Sequence, residues 1–167
     1  YANAVPTMLA GDMLFAFLEF AGNSGFYPES PLVAYPGIES MEGWTSRELP
    51  YSFDFLVENF MDPAHIPFAH HSLQGVRSDG SPIEMKSLTD IMSNSTHVEL
   101  GFKDVIRGKA REGVVSFRAP CYYHFRVPDQ WRIGEWNKIL TILCVPVAPG
   151  RSRVYLSLAF PPDKEGN

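Results

Sequence analysis

A chain of 167 residues that is 45% hydrophobic and 20% charged has the composition of an ordinary globular domain, which excludes the disordered and fibrous classes. Its net charge of −5 and the absence of a basic patch interleaved with aromatics argue against nucleic acid as the main partner. Mean hydropathy is −0.10, and no apolar run approaches the roughly 18 residues of a membrane span, so no transmembrane helix is expected within it.

In chain order, Tyr1 to Phe20 carries one apolar run, Met13 to Leu18, after the turn residues Gly11-Asp12; it predicts a buried strand. Residues 21–49 are rich in Gly, Pro, Ser and Glu and predict a linker or surface loop between two units. Phe53, Leu56, Val57, Phe60 and Met61 then recur at helical spacing, with Asp54, Glu58 and Asp62 on another face. Asp62-Pro63 reads as a cap followed by a proline opening a new turn, and Pro67 as a break in that turn. Beyond a polar loop at 72–82 the period changes to two. Strands are expected at 96–102, 114–119, 121–127, 137–146 and 153–160, closely joined and therefore antiparallel. One helix before a five-strand run makes the unit α+β. Cys121 and Cys144 are too few for a disulfide scaffold and read as buried thiols of a reducing compartment.

One constellation stands above background. His65, His70 and His71 fall within seven residues, just after a row of carboxylates. Neutral imidazole suits Fe, Zn, Cu and Ni, and two imidazoles with one carboxylate hold Fe(II) in non-haem oxygenases. On a regular helix two residues five apart point about 140° away from each other. Pro67 between them predicts a break that lets both rings turn to one point. Packed, hydrogen-bonded core histidines are the competing reading of such a pair. The zinc-hydrolase pattern HExxH is absent, and so are a phosphate loop and a nucleophile elbow.

The run Leu56 to His71, with its N-x2-D-x2-H-x4-H core at Asn59, Asp62, His65 and His70, resembles the iron motif of Rieske non-haem iron oxygenases. Within that superfamily it is most similar to the pheophorbide a oxygenase group of plants, algae and cyanobacteria. Pro6 to Phe17 resembles that group's closing Rieske-domain strand, Ser78 to Met85 its charged loop, and Ala119–Tyr122 with Pro146–Arg153 its later strand pair.

The resemblance implies a helix-grip catalytic domain: an antiparallel sheet with helices at 50–167, in part only, preceded by the tail of a β-rich Rieske domain at 1–20 and a linker at 21–49. It implies that His65 and His70 ligate a mononuclear Fe(II), that Asp62 carries electrons from the [2Fe-2S] Rieske cluster of a neighbouring subunit, and that Asn59 stands close to the iron. By the same resemblance the enzyme is an oxygenase of chlorophyll catabolism in a chloroplast or cyanobacterial cell. It acts on a tetrapyrrole-like or similarly bulky apolar substrate with O2 and electrons from ferredoxin or a similar donor. A homotrimer and membrane association through a further segment are also implied.

The family's C-x-H and C-x2-H cluster ligands have no counterpart before Cys121. Its third iron ligand, a carboxylate on a later helix, matches neither Asp163 nor Glu165. Both observations are expected of an inner portion of a longer protein. Two rival readings share the fold: a redox-linked component of a chloroplast import or assembly complex, and a non-catalytic binder of apolar ligands. His71 reads as a neighbour of the site or a surface histidine, and His97 and His124 as sheet residues. The aromatic residues, among them Phe53, Phe60, Phe68, Tyr122, Tyr123, Phe125, Trp131 and Trp136, read mostly as core, with a ring-lined substrate pocket as the alternative.

Overall fold

The apolar stripe folds as expected into α1 (Phe53–Met61), with Leu56 buried and Asp54, Phe55 and Glu58 exposed. The computed structural model describes residues 7–16, 35, 38, 41, 43–90, 96–127 and 139–159. Helix α1 lies on a seven-stranded, wholly antiparallel sheet made of β3 (Thr45–Leu49), β4 (Glu84–Ser87), β5 (His97–Ile106), β6 (Lys109–Arg118), β7 (Tyr122–Arg126), β8 (Ile139–Ala148) and β9 (Arg151–Ala159), in the order β3-β9-β8-β7-β6-β5-β4. The α+β class holds.

Period-two alternation sends one set of side chains to each face. Toward α1 point Phe102, Val115, Tyr123, Ile142, Cys144 and Val154, and they close one core with Leu56. Phe53 packs on Phe117 and Phe60 on Tyr123, with ring centroids 6.2 and 5.5 Å apart. The Ser152 hydroxyl donates to the Tyr51 carbonyl at 3.0 Å and ties the chain entering the helix to β9. Burying Leu56 is worth on the order of 2 kcal/mol in apolar transfer.

The back face is covered by the N-terminal residues. Strands β1 (Thr7–Ala10) and β2 (Met13–Ala16) form a hairpin around Gly11. A Cβ on Gly11 would fall 1.9 Å from the Met41 carbonyl oxygen, so only glycine fits this close approach. Ala10, Tyr35 and Ile38 pack on Tyr122 and Leu143, and Tyr35 stacks on Tyr122 at 4.9 Å. Across the same face runs a cross-strand row, Glu99, Ser116, His124, Thr141 and Ser157, each opposite the next. Ser116, Thr141 and Ser157 are buried, and the Thr141 hydroxyl reaches Met41 Sδ.

Several expectations are corrected. The run from Met13 makes a half-exposed hairpin strand, since Leu14 is 70% exposed and packing uses only alternate residues; residues 17–20 lie outside the described set. The end of the loop-like stretch, Thr45–Leu49, is an edge strand whose partner β9 is more than a hundred residues away. Pro67 does not break its turn: it sits in the first turn of α2 (Ile66–Ala69), where its missing N–H costs nothing. Strands β5 and β6 extend beyond the expected bounds of 102 and 114 through charged residues, because Lys103 pairs with Glu112 and Asp104 with Arg111 across the hairpin. Strand β4 was not anticipated. Trp131, Trp136, Asp163 and Glu165 lie outside the described residues.

Candidate metal centre

Helix α1 stops at Asp62, whose φ of −102° and ψ of 95° leave the helical region, and Pro63 cannot donate to continue it. The Asp62 N–H donates to the Asn59 carbonyl, and the Asp62 carboxylate accepts the Ala64 N–H at 2.8 Å. That carboxylate caps a 3-10 turn, Pro63–His65, which runs directly into α2. His70 ends α2 with φ −108° and ψ 31°, outside the helical region. The 140° separation of a regular helix therefore does not apply, because the first turn is tighter and the last residue has left the helix.

The two rings meet. His65 Nε2 and His70 Nε2 lie 3.2 Å apart, with ring centroids at 5.2 Å and a 61° angle between planes. His65 Nδ1 donates to the Asp62 carbonyl, which can only accept, so the tautomer is fixed with the lone pair on Nε2. Burial, and then the neighbouring His65 ring, lower His70 from the ordinary histidine pKa, which favours the neutral imidazole a metal requires. Two nitrogens 3.2 Å apart suit one ion about 2.1 Å from each at an angle near 100°. The donor set fits a borderline metal such as Fe(II). Among the described residues no third His, Cys, Asp or Glu joins the pair to complete a group of three.

Asp62 is exposed, one oxygen committed to Ala64. Asn59 stands half-buried on the last turn of α1. His71 turns away from the pair: its Nδ1 accepts the Arg77 N–H at 3.1 Å and closes the following loop. His97 and His124 lie on β5 and β7, as expected, on the back face. Burial, then a nearby arginine (Arg118 and Arg126 respectively), pushes both down, against a partly compensating Glu99. Both cysteines are free, and burial pushes the Cys144 thiol up to about 11, so it offers no thiolate.

Two features beneath the histidine turn escaped sequence reading. Asp104 and Arg111 form a buried two-pronged ion pair, with the guanidinium 5.5 and 5.4 Å from the Phe102 and Phe125 ring centres. The tip of the β5–β6 hairpin holds Asp79, whose carboxylate accepts the Arg107 and Gly108 N–H groups. Alternating charges at cross-strand positions were the available signal for the first; the second, a carboxylate on backbone N–H groups, had none.

No protein-family model matches the chain. Among curated proteins it is 26% identical over 162 residues to protochlorophyllide-dependent translocon component 52 of Arabidopsis thaliana, covering 76% of this chain and 29% of the relative. It is 32% identical over 112 residues to pheophorbide a oxygenase of Oryza sativa subsp. japonica, covering 64% of this chain and 20% of the relative. The chain thus spans less than a third of these chloroplastic relatives. Among solved structures, dicamba monooxygenase bound to 3,6-dichlorosalicylic acid superposes with a TM-score of 0.59 at 11% identity, over 93% of this chain and 50% of that one, a likeness of fold.

Proposed function

We propose that this chain, which belongs to the Rieske oxygenases of the pheophorbide a oxygenase group, carries two of the protein ligands of a mononuclear iron, His65 and His70. The observation behind this reading is the 3.2 Å approach of two imidazole Nε2 atoms, one with its tautomer set by the Asp62 carbonyl. Bound there, iron supplies the O2-activating chemistry of the family.

The chain's own residues hold and orient. Asp62 fixes His65 through its carbonyl and caps the turn with its carboxylate. That exposed carboxylate is the candidate bridge for electrons from a [2Fe-2S] cluster held elsewhere in the assembly. Asn59 is the neighbouring polar residue. Pro63 and Pro67, both buried, seat the turn on the sheet.

The substrate we propose is a tetrapyrrole such as pheophorbide a, with ferredoxin as the electron donor and the chloroplast, where the relatives reside, as the compartment. A trimeric assembly and membrane attachment belong to the same proposal. A second reading, a redox-linked component of an import complex, is favoured by the match to a translocon component.

The deciding experiment is iron analysis of anaerobically reconstituted protein, wild type beside His65→Ala, with oxygen uptake measured on pheophorbide a and reduced ferredoxin. The reading expects about one mononuclear iron, lost in the variant, and substrate-dependent uptake in the wild type only. Equal iron in both proteins overturns the metal assignment. Retained iron without uptake moves the import reading to the front.

A further inference from the structure

His70 owes its orientation to the loop that follows it. Its N–H donates to the Ile66 carbonyl at 3.0 Å, and its own carbonyl accepts from the Leu73 and Gln74 N–H groups at 3.0 and 2.9 Å. The loop closes on itself where the Ser72 N–H meets the Gly75 carbonyl at 2.8 Å. Gly75 folds back so tightly that a Cβ there would lie 3.2 Å from Pro67 Cα and 3.5 Å from the Ile106 side chain. Leu73 is 76% exposed, so its own packing does not hold this loop.

The missing restraint comes from the β5–β6 hairpin. Arg107 Nη2 donates to the Leu73 carbonyl at 2.9 Å. At the same time the Arg107 and Gly108 N–H groups grip the Asp79 carboxylate at the far end of the loop. Arg107 and Gly108 have φ of 53° and 72°. A two-residue hairpin turn with both central φ values positive favours Asn-Gly or Gly-Gly. An arginine in the left-handed region is strained, and such an outlier points toward a use for its side chain.

We propose that Arg107 is a positioning residue for the metal pair: by holding the Leu73 carbonyl it fixes the turn that sets His70 opposite His65. This rests on the assignment of His65 and His70 as ligands. The backbone donor to Asp79 and the side-chain donor to Leu73 are separable. Glycine at 107 keeps the first, relieves the positive φ and removes only the second.

The test is Ni(II) titration of the full chain by calorimetry, together with thermal melting of the metal-free protein, for wild type, Arg107→Gly, Arg107→Lys and His65→Ala. We expect Arg107→Gly to bind Ni(II) about tenfold more weakly, the low end for loss of a ligand-orienting partner. Its melting temperature should equal or exceed the wild type's, and Arg107→Lys should regain part of the affinity. Wild-type affinity in Arg107→Gly overturns the inference. So does weaker binding accompanied by a lower melting temperature, which is general loosening. If wild type and His65→Ala bind alike, the ligand assignment fails first and takes the inference with it.

Discussion

The two faces of the sheet each carry a pair of histidines, and the pairs are built in opposite ways. On the helix side His65 and His70 are only half-buried, yet backbone groups set them: the Asp62 carbonyl takes His65 Nδ1, and the loop turns around the His70 carbonyl. On the back face His97 and His124 are held by strand register, and neither Nε2 has a hydrogen-bond partner. A lone pair aimed at a shared point distinguishes the candidate ligands; depth of burial does not. The helix side presents two nitrogens 3.2 Å apart, whereas on the back face Glu99 and two arginines surround the rings.

The strongest way to break this contrast is to remove the floor under the helix side. Asp104→Ala leaves the Arg111 guanidinium buried without its carboxylate, which should cost about 3–5 kcal/mol. Urea denaturation reads this directly, and a loss below about 1 kcal/mol would mean that the pair does not brace the sheet. Leu56→Ala empties the centre of the α1 contact and should cost about 3 kcal/mol. Hydrogen exchange should then show α1 and the histidine turn opening before β7 and β8; uniform opening would erase the distinction between faces.

A smaller effect sharpens the comparison through pH. Burial, and then a nearby arginine, lower the folded pKa values of His97 and His124 below the unfolded 6.5. The unfolded chain then binds more protons below pH 6.5, and stability must fall as pH drops through that value toward the folded pKa values. His70 adds a contribution of the same sign. A His97→Gln, His124→Gln double variant should show a shallower decline between pH 7 and 5 by chemical denaturation. An unchanged slope would mean that burial on the back face does not lower these two histidines. The smallest expected change is Glu48→Gln, which removes exposed pairs with Arg151 and Arg153. Its shift in melting temperature should disappear on raising the salt.

Much of the helix side was legible. The stripe Phe53 to Met61 is local, and Asp62-Pro63 marks its end by chemistry that needs no distant partner. The convergence of His65 and His70 was legible in outline, but the cause differs: departure of His70 from helical geometry brings the rings together, and Pro67 starts a helix. The hairpin from Lys103 to Glu112 was not legible, because its charged residues carry no apolar period of their own and pair only across the strands. Strand β3 was hidden for a different reason. Thr-Ser-Arg-Glu-Leu has little apolar alternation, and what makes it a strand is β9. Arg107 could not be found without the sign of its φ.

The order of strands has a consequence for how the protein is made. Strands β3 and β4 flank the histidine segment in the chain but occupy opposite edges of the sheet, about 29 Å apart by six strand spacings. The segment is therefore a strap across the whole sheet. Its first anchor closes only when Thr45 finds Leu156, a loop of more than a hundred residues and a slow kind of contact to form. During synthesis both imidazoles leave the ribosome long before β8 and β9 exist to support them. A chain interrupted before β9 would carry both imidazoles on an untethered strap, so the turn that brings them together gains its support only once β9 has formed.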